Sequence, residues 1–457
     1  MLPNESNSIL TSVQSGTPGG NLMREYWLPV LISTELPAPD CPPLRIRLLS
    51  EDLIAFRTTS GDIGMIQNAC PHRGASLFFG RNEEEGLRCV YHGWKFDVTG
   101  ACVDMPSEPA ESNFKNKVRT RAYSCIEHNG VVWTYMGDLS PPPPLPDLEW
   151  NRVPQDHSFV TKRVQACNWF QALEGAIDSA HSNFVHAPLN RMEAAGPRVD
   201  GQGDANATYY KTRVTYLHFE TVNTDTGVIV ANRRDAEADT FYWRANHYLL
   251  PFYTMFPPNL SSPDVVINGH AWVPVDDENT LVFFWSYNVD NALTEQQLDT
   301  MRHGRDGLDG FHLSEESQLP ATSEPHGAWY PKQNAANDYM IDYEAQRTVR
   351  FSGVPGGWNQ DAAVQESMGP VTNRAREHLG TSDLGIIAAR RRFLSEAQAH
   401  ESSNQSPVAV WRGDSWNVRP AAAIIPRQAD WLSTMQPLID GSKTIDQLLV
   451  ETSPQST

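Results

Sequence analysis

Two regimes of apolar patterning divide the chain. From Leu44 the apolar positions come in short runs, LRIRLL, DLIAFRT and GDIGMIQN, broken at close intervals by Gly and Asp. Similar runs return at Leu87–Tyr91, Trp94–Val98, Val118–Ile126 and Gly130–Met136. Short strands punctuated by turn residues predict a small antiparallel sheet domain. Upstream, residues 1–26 are polar and Gly-rich around Thr17-Pro18-Gly19-Gly20. They predict a short capping helix that runs into extended structure at Tyr26-Trp27. Downstream, Ser140-Pro141-Pro142-Pro143-Pro144-Leu145-Pro146 suits neither a helix nor a central strand and predicts a stiff connector.

Beyond Trp150 the pattern changes. Residues 168–187 predict a helix, and strands are expected at Thr208–Glu220, Val228–Asn232, Thr240–Leu250, Val265–Val273 and Thr280–Asn288. Asp276-Asp277-Glu278-Asn279 is a hairpin-type turn between the last two. Residues 295–310 begin helical, and 311–337 form a long irregular polar stretch of the kind that is usually functional or mobile. Helical spacing returns from Asp361 to about His400, with a break at Gly380–Asp383, and the tail after Thr452 is expected to fray. The expected architecture is α+β: an N-terminal segment (1–40) packing on the larger domain, a small antiparallel β domain (41–146), and a larger domain (147–457) with an antiparallel sheet flanked by helices.

Charge narrows the partners. Fifty-five acidic residues against 36 basic give a net charge of −19, which argues against nucleic acid or an anionic membrane. Six cysteines without a dense framework fit a reducing compartment. No basic segment with an apolar core opens the chain, and no run approaches the ~18 apolar residues of a membrane span, so a cytoplasmic protein is expected.

The strongest chemical signal lies inside the small domain. Cys70-Pro71-His72 and Cys89-Val90-Tyr91-His92 each pair a thiol with an imidazole, sixteen residues apart. A mixed Cys₂His₂ set fits either a structural zinc or a [2Fe–2S] cluster with two Cys on one iron and two His on the other. Zinc fingers usually group their Cys and their His separately, whereas here each loop supplies one of each. With their flanks, C-P-H-R-G and C-x-Y-H-G-W-K-F-D resemble the Rieske signature, with Gly74 and Gly93 letting backbone approach the sulfurs.

A second cluster lies at 168–186. On a helix, Gln171, Glu174, Asp178 and His181 form one polar stripe beside apolar Phe170, Leu173 and Ile177. His181 and His186 are five apart, about 140° on a regular helix. To share a metal they need the helix to end or distort between them; otherwise they are satisfied core or interface histidines.

Taken together, these segments resemble the large (alpha) subunit of the Rieske non-heme iron ring-hydroxylating oxygenases, along nearly the whole chain. Gly16-Thr17-Pro18, Leu22–Trp27, WKFDVTG and QESMGPVTNRAREHLGTSD with Ala388–Arg392 resemble the phthalate-dioxygenase branch. The resemblance implies a Rieske cluster on Cys70, His72, Cys89 and His92. It also implies a helix-grip, START-like catalytic domain with mononuclear iron(II) on His181, His186 and a downstream acid. Asp338, Asp342 and Asp361 are candidates for that acid, and Asn359–Glu366 best resembles the family pattern at Asp361. Asp178 would bridge His92 of a neighbouring subunit to His181, which requires a trimer or hexamer.

The implied activity is reductive activation of O₂ and hydroxylation of an aromatic carboxylate or related acid. Electrons would come ultimately from NAD(P)H through a flavin/[2Fe–2S] reductase or a ferredoxin. O-demethylation or another monooxygenation is the alternative, and a Rieske electron carrier without catalysis is a more distant one. An aromatic acid needs an apolar slot and a cationic fork. Arg244 and the Pro251–Phe256 run with Phe252 are candidates, with Arg213, Arg233, Arg234 and His218 as rivals. Asn168 is a further pocket candidate, while His247 and His270 are expected to be core or edge histidines.

Overall fold

The computed structural model describes residues 2–109, 111–190, 207–236, 239–257, 266–303 and 317–442. Two short helices, α1 (Asn4–Thr11) and α2 (Pro18–Arg24), precede the strands. The first sheet is built from β1 (Trp27–Ile32), β2 (Leu44–Leu48), β3 (Glu51–Arg57) and β4 (Ile63–Gln67), completed by β9 (Ala122–His128) and β10 (Val131–Tyr135). Its order is β1-β10-β9-β4-β3-β2, antiparallel throughout. Between β4 and β9 a smaller sheet runs β5 (Arg81–Glu83), β6 (Gly86–Arg88), β7 (Lys95–Phe96) and β8 (Cys102–Asp104). In β2 the alternation decides the faces, with Ile46 and Leu48 buried and Arg45 and Arg47 on the other side. Arg47 pairs with Asp52 at 2.7 Å and with Asp276 of the second region at 3.0 Å.

The larger sheet begins with β11 (Ser158–Gln165), followed by helix α3 (Trp169–Ile177) and helix α4 (Ala207–Arg213). Then come β12 (His218–Asn223), β13 (Gly227–Asp235), β14 (Thr240–Leu249), β15 (Tyr253–Phe256), β16 (Ile267–Pro274) and β17 (Thr280–Tyr287). The antiparallel order is β11-β17-β16-β15-β14-β13-β12, and β18 (Ala421–Pro426) pairs with the first half of β14. Helices α5 (Glu295–His303), α6 (Tyr343–Thr348), α7 (Gly357–Glu366), α8 (Leu384–Ser403) and α9 (Trp431–Ile439) complete the described elements. All of β17 is buried, and Trp285 stacks on Trp133 of β10 and on Trp150, which joins the two sheets in one core. Among the described residues no helix is long and apolar enough to cross a membrane.

Several elements differ from the pattern-based expectation. The helix expected over 168–187 stops at Ile177. Thr208–Glu220 is not one strand: α4 comes first, held by Tyr210 against Tyr242 and Ala422, and β12 starts only at His218. Tertiary burial of one aromatic outweighs the local strand pattern here. The C-terminal helical region is two helices, separated by 367–383 rather than by a brief break. Residues 1–40 divide: α1 and α2 lie against α8, but Trp27–Ile32 forms the edge strand of the first sheet. β15, β18 and α9 carry no separate signal in the pattern. Ser140–Pro146 holds neither helix nor strand. The irregular stretch from 311 is described only from 317, and the tail after Thr452 lies outside the described residues.

Candidate metal centres and active-site pocket

The two Cys–His loops are built alike. In the first, Cys70 N–H donates to Ala75 O and Gly74 N–H to Cys70 O, both at 2.8 Å; in the second, Cys89 N–H donates to Trp94 O at 2.8 Å and Gly93 N–H to Cys89 O at 2.9 Å. Gly74 and Gly93 have φ of 78° and 79°, a left-handed turn that a side chain would strain. Cys70 and Cys89 sink into a small core of their own with Phe56, Ile66, Leu77, Leu87 and Phe96. His72 stacks on Trp94 (4.3 Å) and meets the edge of His92 (4.4 Å). Each donor thus lies beside its own kind, Cys with Cys and His with His.

These residues fit a two-iron cluster. Burial pushes the Cys70 thiol up to about 11, with a further push from Cys89, so a cationic centre is needed to hold Cys70 as a thiolate. His72 Nδ1 is buried without a hydrogen-bond partner. Among the described residues, no three of the four donors fall within 4.8 Å of one another, too spread for one tetrahedral zinc. His92 is half-buried, with exposed Tyr91 against its ring.

The second centre depends on where α3 ends. Asp178 leaves the helix in extended backbone, and its Oδ1 accepts the N–H groups of Ala180 (2.8 Å) and His181 (3.3 Å), starting a tight turn at His181–Asn183. Ser179 Oγ accepts the amides of Asn232 and Asn246, each at 3.0 Å, and so pins this turn to β13 and β14. Because the helix has already ended, five residues of separation no longer splay the imidazoles apart. The Nε2 atoms of His181 and His186 lie 3.2 Å apart, and Asp361 Oδ1 lies 3.4 and 3.3 Å from them. Three donors on a triangle of this size fit one face of an octahedral ion, whose adjacent ligands stand about 3 Å apart.

Further contacts set the donors. Gln360 Nε2 donates to Val354 O (2.9 Å), which leaves its Oε1 to accept from His186 Nδ1 (2.7 Å). That assigns the proton to Nδ1 and turns the Nε2 lone pair towards Asp361. Burial opposes ionisation of Asp361, but the two imidazoles hold its carboxyl far below the usual range. Burial also disfavours charged His181, yet Asp361 and Asp178 push it up to about 9. Asp178 is raised by burial against the pull of His181 and two backbone N–H groups. Its Oδ2 is 3.8 Å from His181 Nδ1, which has no hydrogen-bond partner.

The triangle opens into a cavity of about 470 Å³, lined on its apolar side by Phe256, Trp272 and Trp358 and on its polar side by Lys211, Arg234, Arg244, Asn246 and His270. Arg244 therefore reaches the pocket, as does Arg234, while His270, expected as a core or edge residue, lines it. Two expectations are corrected. Asn168 is fully buried as the N-cap of α3, accepting from Phe170 N–H and donating to Thr11 O and Asp277 O. Phe252 is fully buried in the main core, and Phe256, on the opposite end of β15, lines the cavity instead.

Other candidates lie elsewhere. His218 is exposed, His247 is buried against Arg419 O, and Arg213 and Arg233 lie over the rings of Tyr209 and Phe241. Asp342 caps α6, and Asp338 sits in a kinked turn, so neither joins the triangle. Gln171 and Glu174, read as part of the same stripe, are structural: Glu174 holds Arg374 (3.2 Å) and Arg390 (2.6 Å). Lys211 and Gln360 escaped sequence reasoning; only the position of Gln360 next to Asp361 hinted at a role.

A cluster-binding domain beside a pocket headed by two histidines and a carboxylate defines a two-centre, O₂-activating oxygenase. Residues 26–123 match the Rieske [2Fe-2S] domain, and 134–447 match the LigXa C-terminal domain like family. The chain is 40% identical to the 3-chlorobenzoate-3,4-dioxygenase oxygenase subunit of Comamonas testosteroni, over 96% of this chain and 98% of that one. It is 34% identical to the phthalate 4,5-dioxygenase oxygenase subunit of Pseudomonas putida, over 94% of each. Its fold is similar to that of dicamba monooxygenase (TM-score 0.55, 17% identity, 84% of this chain and 99% of that one). The chain belongs to the Rieske non-heme iron oxygenases, as the terminal oxygenase component of the aromatic dioxygenase type. The family works with a Rieske cluster, a mononuclear catalytic iron and an external reductase.

Proposed function

We propose that this protein hydroxylates the ring of an aromatic carboxylate. The observation that carries the reading is the His181–His186–Asp361 triangle at the head of a cavity that also holds two arginines. Cys70, His72, Cys89 and His92 hold the cluster, and His181, His186 and Asp361 hold iron(II), which when bound supplies the centre for reductive activation of O₂. Gln360 orients His186. Arg244, with two of its N–H groups held by Tyr242 Oη (3.3 Å) and Pro257 O (3.0 Å), presents a fixed cation for the substrate carboxylate. Trp272, Trp358 and Phe256 flank the ring and exclude water.

A separate reductase or ferredoxin would supply the electrons, and His92 is the cluster residue placed to pass them on. Within one chain His92 has no hydrogen-bond or ion-pair partner among the described residues, and Asp178 Oδ2 is held only loosely by His181. A second subunit completes the contact: Asp178 accepts from its His92 and from His181, which favours a trimer or hexamer. Exposed Val90 and Tyr91 on one side, and Phe184 and Phe351 on the other, are apolar surfaces suited to that interface.

The test is turnover of benzoate, chlorobenzoates and benzenedicarboxylates with a matching reductase under ¹⁸O₂. Two labelled oxygens on the ring are expected. One labelled oxygen, or one with release of an aldehyde, replaces dioxygenation by monooxygenation. No oxygenation of any aromatic acid would overturn the reading.

A further inference from the structure

Asp361 and Gln365 stand one turn apart on α7, and both line the cavity. Facing them on α3 are Gln171, Gly175 and, where the helix ends, Asp178. Gln171 Nε2 donates to Gln365 O (2.6 Å) and to Gly369 O (2.9 Å), holding the carbonyls at the C-terminal end of α7. Its Oε1 accepts from Thr372 N–H (2.8 Å). The side chain of Gln365 lies on Gly175, one turn further along α3, and its Oε1 accepts from Gln165 Nε2 of β11 at 2.6 Å. Gln165, Gln171 and Gln365 are 1%, 2% and 5% exposed, so the two helices meet over a seam of buried amides.

Gly175 lies inside α3, where glycine costs ~1 kcal/mol against alanine. Its neighbour supplies the reason: a methyl group at 175 would overlap Gln365 Nε2. That amide cannot step aside freely, because leaving Gln165 would break a buried hydrogen bond and strand both groups. The contact therefore sets how closely α7 approaches α3. The turn that carries His181 starts where α3 ends, and α7 carries Asp361. The same approach thus sets the distance from Asp361 to the imidazoles. Metal ligands tolerate about 0.2 Å in position, less than a new methyl group displaces. Gln365 is also neutral, so it braces the helix face that bears Asp361 without adding a second carboxylate beside the triangle.

On the reading that His181, His186 and Asp361 hold iron, we infer that Gln365 is a positioning residue for that ion. Seated on Gly175 and held by Gln165 and Gln171, it fixes the separation of α3 and α7, and with it the distance of Asp361 from the two imidazoles. It acts through Asp361 and takes no place among the ligands.

Release of iron from the anaerobic holoenzyme to a ferrous chelator, followed beside the Rieske visible spectrum, tests this. Gln365→Ala should release the mononuclear iron about tenfold faster than the parent, as loss of a partner that orients a metal ligand does. Gly175→Ala should also speed release, but should add nothing in the Gln365→Ala background, where its partner is gone. Gln165→Leu leaves both helices intact and should speed release by less; it carries the test where Gln365→Ala does not fold. The EPR signal of the ferrous nitric oxide complex, read with the cluster oxidised, should shift in the same order, which a general loss of stability would not produce. Parent release rates and parent EPR signals in the folded variants overturn the inference, as do additive effects of Gly175→Ala and Gln365→Ala. A parent that yields no labile iron beyond the cluster overturns the two-centre reading itself.

Discussion

The two metal-binding regions are built on opposite plans. Each Rieske loop closes on itself through two backbone hydrogen bonds and a left-handed glycine, over a small core made of neighbouring strands. The catalytic triangle is assembled from distant parts. His181 depends on the end of α3 and on Ser179 pinned to β13 and β14, while His186 depends on Gln360, 174 residues away. A local site is set once its loops form, whereas a dispersed site registers any shift in the elements that carry it. Substitutions at the catalytic centre should therefore leave the cluster untouched, and distant structural changes should reach the catalytic centre first.

The largest expected separation comes from the ligands. Asp361→Ala removes the only charged donor of the triangle, and turnover should fall by about 10³-fold or more, while the cluster's visible and EPR spectra stay those of the parent. Loss of the Rieske signal in the same variant would contradict the independence of the two centres. Asp178→Asn comes next. It keeps the shape of the side chain and both metal centres, yet removes the carboxylate proposed to accept from two imidazoles. Turnover should drop about 10²-fold or more, with cluster reduction by dithionite unaffected and single-turnover oxidation of the cluster slowed. A full-speed variant would remove Asp178 from the electron path.

Stability gives the third contrast. Glu174 is the shared partner of two buried guanidiniums, and Glu174→Gln should cost about 3–5 kcal/mol. In thermal unfolding the mononuclear iron should be released before the Rieske absorbance is lost; simultaneous loss would show that the two regions melt as one. The smallest effect concerns pH. A substrate anion at Lys211 would need the protonated amine, which is favoured below about 7 and lost above it, because Arg244 and burial depress it. Affinity for an aromatic dicarboxylate should therefore weaken roughly tenfold between pH 6 and pH 8.5, while the cluster spectrum stays constant. Affinity that is flat across this range would detach Lys211 from binding.

The same contrast explains what could be read from the sequence. The Cys70–Trp94 loops were legible because their ligands, glycines and hydrogen bonds are all local. His181 and His186 were visible as residue types, but not as a pair. Their spacing is wrong for a helix, and the end at Ile177 is set by Asp178 turning its carboxylate onto the next N–H groups. Asp361 could be placed only by resemblance, since nothing local distinguishes it from the first-turn acid of an ordinary helix. The substrate residues were the least legible. Asn168 and Phe252 have the right chemistry but point into helix-cap and core contacts, while Lys211 sits in a stretch whose pattern resembles a strand. Arg234 and Arg244 reach the cavity because β13 and β14 pair in a register that short-range pattern does not specify.

One chain is proposed to hold two separate iron centres of different construction. Iron and acid-labile sulfide measured together on anaerobically purified protein, for the parent and for Asp361→Ala, test it most directly. Three Fe and two S per chain are expected in the parent, falling to two Fe and two S in the variant with an unchanged Rieske EPR signal. Two Fe per chain in both proteins, persisting after iron(II) is added, would contradict it and leave an electron carrier in its place.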